Sequence, residues 1–173
     1  MGIALNTKRP TVVCVTSGSA LLNTAPAVAE AYYQHVPLIV IAADRPQQWI
    51  DQLDGQTLPQ PDALNRFVRR SVSLPEPRTE EERWYCNRLV NEALHATTFR
   101  QPAPVLINVP ITEPLFTFDV AELPKERRFR MLDSEAALTN TTVEVLQQEL
   151  YQAKRPLIVV GQMAADSFGC SVF

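Results

Sequence analysis

Histidine is scarce in this chain: His35 and His95 are the only two in 173 residues. A histidine-based metal site is therefore without support. Both are expected to lie in helices, with a structural role. Cysteine is also thin. Cys14, Cys86 and Cys170 are odd in number, widely spaced and in no C-x-x-C pattern. That excludes a disulfide framework and a cysteine zinc site, and leads us to expect reduced thiols in a cytoplasmic setting. Cys14 lies in an apolar strand pattern and is expected to be a small core residue. No apolar run is long enough to cross a membrane, and no leader pattern opens the chain. A strong basic excess is missing too: the net charge is −3, so a nucleic-acid partner is not expected. The short basic run Lys125–Arg130 is interrupted by Glu126 and reads as a solvated linker, with a phosphate-binding patch as the alternative.

What is there is ordinary globular composition, 46% apolar and 20% charged, enough for one domain with a real core and a piece of another. Four apolar runs read as buried strands: Thr11 to Val15, Leu38 to Ala42, Pro104 to Val109 and Leu157 to Val160. They lack polar alternation, as strands covered on both faces of a parallel sheet do. Helical patterns separate them, which makes the class α/β. One helix is expected over Leu22 to Gln34. A longer one opens at Thr79, where Thr79 and Glu82 fit a capping box. Thr141 with Glu144 predicts another helix start. Pro110, Pro114 and Pro124 punctuate a stretch without periodicity, expected to be an interdomain linker.

Three segments could carry chemistry. Thr16-Ser17-Gly18-Ser19-Ala20 follows the first strand. Its small residues let a ligand approach the backbone at a carboxyl strand end, where open α/β sheets bind ligands. Taken alone, a serine-capped strand-to-helix turn explains it as well. No G-x-G-x-x-G is present, which disfavours dinucleotides. Ala43-Asp44-Arg45-Pro46 follows the second strand. Arg45 could hold a carboxylate there through two parallel hydrogen bonds; the alternative is a surface turn fixed by Pro46. The polar loop Asp51 to Gln60 could place Gln56 over a site, or be a plain solvated loop. The carboxylates Glu80, Glu81 and Glu82 belong to a helix start and are poor general acids. No Ser-His-Asp arrangement is convincing.

In order along the chain, Thr16 to Pro46 (TSGSALLNTAPAVAEAYYQHVPLIVIAADRP) is similar to the pyrimidine-binding domain of thiamine-diphosphate enzymes. Acetohydroxyacid synthases share the general pattern but have no arginine in this form. The ending A-D-R-P, with Gln56 eleven residues past Arg45, resembles more narrowly the 2-succinyl-5-enolpyruvyl-6-hydroxy-3-cyclohexene-1-carboxylate (SEPHCHC) synthases of menaquinone biosynthesis. PVLINVPITEPL resembles that family's last strand of the domain and its exit. The resemblance implies an incomplete parallel-sheet pyrimidine-binding domain over 1–115, a linker over 116–140 and the start of a central α/β domain over 141–173.

The same resemblance implies a reaction: 2-oxoglutarate is decarboxylated and the resulting carbanion adds to isochorismate. The cofactors would be thiamine diphosphate with Mg2+ or Mn2+, the cofactor carrying the chemistry. Arg45 would pair with a substrate carboxylate and Gln56 would hydrogen-bond substrate or intermediate. Thr16, Ser17 and Gly18 would form the floor beside the cofactor's pyrimidine. Asn23 matches a recurrent helix position, read as structural. Family sites form between subunits, so a homodimer or homotetramer is implied. The activating glutamate is expected upstream of the segment matching Met1, and the Gly-Asp-Gly metal motif in a third domain. Asp54-Gly55 is the wrong context for that motif, and relatives often carry Asn at Gly55. Two other readings stay open: another 2-oxo-acid carboligase or decarboxylase, which substrate competition would separate, and a non-catalytic binding domain.

Overall fold

A computed structural model describes residues 1–113, 121–132, 134, 136–157, 159, 161 and 162. The chain forms two compact units, Met1–Met131 and Leu132–Phe173. In the first, α1 (Gly2–Thr7) leads into β1 (Thr11–Val15), then α2 (Ser19–Leu22), α3 (Ala25–Tyr33) and β2 (Leu38–Asp44). Two single turns of 3-10 helix, Gln47–Trp49 and Asn65–Phe67, precede β3 (Arg70–Ser73), α4 (Glu80–Thr98) and β4 (Val105–Pro110). The four strands form one sheet in the order β1-β2-β4-β3, and every pairing is parallel. This is the α/β parallel sheet expected.

Side chains alternate across each strand, so the sheet has two apolar faces. Leu38, Val40 and Ala42 of β2 and Leu106 of β4 join Leu21, Val28 and Ala31 from the α2–α3 side. Ile39 of β2 and Val105 and Ile107 of β4 meet Leu89 and Ala93 of α4. The central strands thus supply both cores, which is why they read as unbroken apolar runs. Each fully buried Leu or Val among them contributes roughly 1.5–3 kcal/mol.

β1 departs from that reading. It is an edge strand whose residues alternate between half-buried and exposed. Cys14 is exposed, not a core residue, because its side of the edge strand has no covering helix among the described residues. The helix expected over Leu22–Gln34 is two helices, α2 and α3, broken at Asn23–Thr24. Pro26 sits in the first turn of α3, where its missing N–H costs nothing but bars the helix from continuing backward. His35 lies beyond α3 with φ 53°, in a left-handed turn and not in a helix.

β3 carries no apolar run, only Arg-Ser-Val-Ser, and was not anticipated. It pairs along β4 from Arg70↔Val105 to Ser73↔Asn108. The long helix α4 begins as expected: Thr79 accepts from the Glu82 N–H and Glu82 caps Thr79 N in return. The backbone N–H groups of Arg78 and Thr79 hold the Glu82 carboxyl below the usual carboxylate range.

Part of the stretch read as linker docks on α4. Asn87 donates to Glu126 and to the Arg127 carbonyl, and Asn91 accepts from the Phe129 N–H. His95 stacks on Phe129 at 6.4 Å between ring centroids, which gives it the structural role expected. In the second unit, α5 (Asn140–Gln152) is capped by Thr139, which accepts from Thr142 N. The cap is two residues earlier than Thr141. The expected strand at 157–160 lies partly outside the described residues; Leu157 and Val159 are described and are exposed.

Candidate functional site

Parallel strands deliver their carboxyl ends to one edge of the sheet. β1 ends into Thr16–Gly18, β2 into Asp44–Arg45, and β4 into Pro110–Glu113. The register places Ala42 beside Asn108 and Asp44 beside Pro110. All three segments therefore lie along one edge of the sheet, the edge where open α/β sheets bind ligands.

Arg45 stands at the end of β2 with its side chain 24% exposed, and its Nη1 donates to Glu113 Oε1 at 2.7 Å. That hydrogen bond raises the guanidinium pKa, against a burial effect that lowers it, so Arg45 remains charged. Its Nε is buried and has no partner among the described residues. A buried donor without an acceptor costs roughly 1–3 kcal/mol, and an incoming carboxylate would satisfy it. Arg45 borders a cleft of about 530 Å³, shared with Trp49, Leu53, Ile111 and Glu113. It also borders a second cleft of about 400 Å³, between Asp44, Ile50, Pro61 and Ser73.

Gly18 has φ 83° and ψ −142°, backbone angles close to those open to glycine alone. A Cβ there would lie 3.1 Å from the Gln56 Cα and carbonyl oxygen. The turn after β1 and the Gln56 loop are thus in direct backbone contact, and only glycine permits it. Ser17 is buried, whereas Thr16 and the Gln56 side chain are exposed. None of Thr16, Ser17, Gly18 or Gln56 borders either cleft. Gln56 itself is held at φ 57°. Gln56 and Gly18 are brought together; Arg45 stands apart from them, joined through other residues.

Those other residues escaped the sequence reading. Gln60 is fully buried. Its Oε1 accepts from Gly18 N at 2.6 Å, and its Nε2 donates to the Ala43 carbonyl and to Asn108 Oδ1, each at 2.9 Å. Asn108, also fully buried, donates to Asp44 Oδ2 at 2.8 Å and to Ser73 Oγ at 3.1 Å. Asp44 in turn accepts from Arg45 N at 2.8 Å. The signal available in sequence was one polar residue inside the apolar run of β4, Asn108, and a glutamine between two prolines, Gln60.

The site's neighbours in sequence are informative. Residues 1–65 match the family described as thiamine pyrophosphate enzyme, N-terminal TPP binding domain. Over 166 residues the chain is 54% identical to the SEPHCHC synthase of Bacteroides thetaiotaomicron, covering 94% of this chain and 29% of that one. Over most of its length this chain is similar to SEPHCHC synthases, and its first 65 residues match a thiamine-diphosphate enzyme domain. The Phocaeicola vulgatus synthase is 50% identical over 163 residues, again with 94% and 29% coverage. The chain therefore spans about 29% of the length of the curated relatives it matches. In structure it is similar to benzoylformate decarboxylase from Polynucleobacter necessarius, with a TM-score of 0.65 and 18% identity, over 90% of this chain and 28% of that one. At that identity the likeness speaks for the fold alone. Among the described residues no three His, Cys, Asp or Glu side chains cluster as a metal site, and no helix is long and apolar enough to cross a membrane.

Proposed function

We propose that this chain supplies one wall of the active site of a thiamine-diphosphate-dependent synthase that decarboxylates 2-oxoglutarate and joins the remainder to isochorismate. The observation that carries the reading is Arg45: a charged guanidinium at a carboxyl strand end, with a buried Nε that has no partner among the described residues. Its presence in a chain 54% identical to a SEPHCHC synthase points to a substrate carboxylate as the acceptor. Both proposed substrates are carboxylates.

Thiamine diphosphate, when bound, supplies the carbon nucleophile and the electron sink of the reaction. The residues of this chain position and neutralise. Arg45 offsets the negative charge of the substrate carboxylate in a partly desolvated cleft, where a charge-assisted bond is stronger than in water. Gln56 donates to the substrate from its left-handed turn. Thr16, Ser17 and Gly18 form the floor beside the cofactor's pyrimidine ring, with the Gly18 turn held against the Gln56 loop. Mg2+ or Mn2+ would be held with the diphosphate elsewhere in the assembled enzyme. A second subunit completes the site in a homodimer or homotetramer, and the enzyme is cytoplasmic.

The experiment exchanges this segment for the matching one in the B. thetaiotaomicron relative and follows isochorismate consumption with 2-oxoglutarate or pyruvate as donor. Consumption that depends on 2-oxoglutarate supports the proposal. A clear preference for pyruvate overturns the substrate assignment in favour of another 2-oxo-acid carboligase.

A further inference from the structure

The buried polar chain between Gly18 and Arg45 has a fixed direction. Gly18 N–H can only donate and the Ala43 carbonyl can only accept, so the Gln60 amide has one possible orientation. With Gln60 Nε2 donating, Asn108 Oδ1 must accept and Asn108 Nδ2 must donate. From the other side Arg45 N–H donates to the same Asp44 carboxylate. Along the line Gly18–Gln60–Asn108–Asp44 each bond points toward Asp44, with side branches to the Ala43 carbonyl and Ser73 Oγ, and bonds in such a line polarise and strengthen one another. Its span is the sheet's carboxyl edge: the turn after β1, the end of β2, the middle of β4 and, through Ser73, the end of β3.

We infer that Gln60 is a positioning residue of the proposed site, locking the Gly18 turn to the Arg45 turn through Asn108 and Asp44. The inference deepens the functional reading above and rests on it. Gln60 touches no ligand in this role. It fixes two segments that do, and an error of about 1 Å in such a placement can cost ~100-fold in rate.

An amide is required here. A carboxylate at position 60 could still accept from Gly18 N, but would face the Ala43 carbonyl and Asn108 Oδ1 with no proton to donate. Protonation would restore one donor. The titratable groups the structure links to Gln60 are Asp44, reached through Asn108, and Arg45, whose N–H donates to Asp44. Asn108 of β4 bonds Gln60 directly, and Ser73 of β3 bonds Asn108. Burial and the Asp44 carboxylate beyond Asn108 would raise the pKa of a glutamate there.

The test uses the complete synthase carrying this segment, with Gln60→Leu and Gln60→Glu. Hydrogen exchange in Gln60→Leu is expected to quicken at least about 10-fold over residues 16–20 and 43–46, while α4 exchanges as before. In Gln60→Glu, kcat/KM is expected to fall about 10- to 100-fold at pH 8 and to recover relative to wild type as the pH is lowered toward 6. Unchanged exchange at Gly18, or a Gln60→Glu variant that parallels wild type at every pH, overturns the inference. If the synthase carrying the unaltered segment is inactive, the functional reading fails, and the exchange measurement alone decides the role of Gln60.

Discussion

Gly18→Ala is the substitution whose cost the structure defines most fully. Two independent terms add. The first is conformational: φ 83° with ψ −142° is a region that side chains with a Cβ rarely enter, at a cost of about 1–3 kcal/mol. The second is steric: the new Cβ would meet the Gln56 Cα and carbonyl oxygen at 3.1 Å and its carbonyl carbon at 3.2 Å. All three are backbone atoms, so no side chain can swing aside, and overpacking of this kind typically costs about 1–3 kcal/mol. A net loss of about 3 kcal/mol is expected, corresponding to a midpoint drop of roughly 6–12 °C for a domain of this size. Gly55→Ala is the control, because nothing lies within 4 Å of a Cβ there; it should shift the midpoint by less than about 2 °C. Thermal unfolding followed by circular dichroism, both variants side by side in the synthase carrying this segment, provides the comparison. Equal midpoints for Gly18→Ala and Gly55→Ala would refute the reasoning, and with it the claim that the Gly18 turn and the Gln56 loop are in contact.

Arg45→Ala should lower turnover about 30- to 1000-fold, the loss of roughly 2–4 kcal/mol of charge stabilisation. Arg45→Lys should not restore it, since an ammonium cannot make the paired bonds; steady-state kinetics checks both. Glu113→Gln removes the partner of a partly exposed ion pair, so stability should change by less than about 1 kcal/mol in urea titration. Glu82 has a lowered pKa, so its contribution to α4 is complete above the unfolded carboxyl value near 4.5 and is lost as pH falls through the folded value. Glu82→Gln should flatten the stability profile in that acid window, and no other. Thiol labelling at pH 8 should modify exposed Cys14 well before Cys86, whose pKa is raised by burial first and by the Glu82 charge second.

How legible these features were depended on whether the signal was local. β1, β2 and β4 announced themselves as apolar runs, and the capping box at Thr79 is a four-residue pattern that needs no tertiary partner. β3 did not, because a four-residue edge strand can be held by pairing to β4 with little apolar content of its own. Cys14 read as core because its run is apolar, but an edge strand with one uncovered face breaks that inference. The break between α2 and α3 was visible in principle at Pro26, which has no N–H to donate back to the preceding turn. Arg45 could be placed at a strand end from sequence. Its partner Glu113 lies 68 residues away, and no local pattern joins them. Gln60 and Asn108 are 48 residues apart, and each alone reads as an ordinary polar residue. Only the sheet order, with β4 beside β2, brings them together.

The central claim is that Arg45 and its neighbours serve a 2-oxoglutarate-dependent synthase. The most direct measurement is isochorismate consumption by the B. thetaiotaomicron synthase carrying this segment, with 2-oxoglutarate and pyruvate in competition, for the unaltered segment and for Arg45→Ala. The account predicts consumption that requires 2-oxoglutarate and falls at least about 30-fold in Arg45→Ala. Consumption that runs on pyruvate, or that is unchanged by Arg45→Ala, would contradict it.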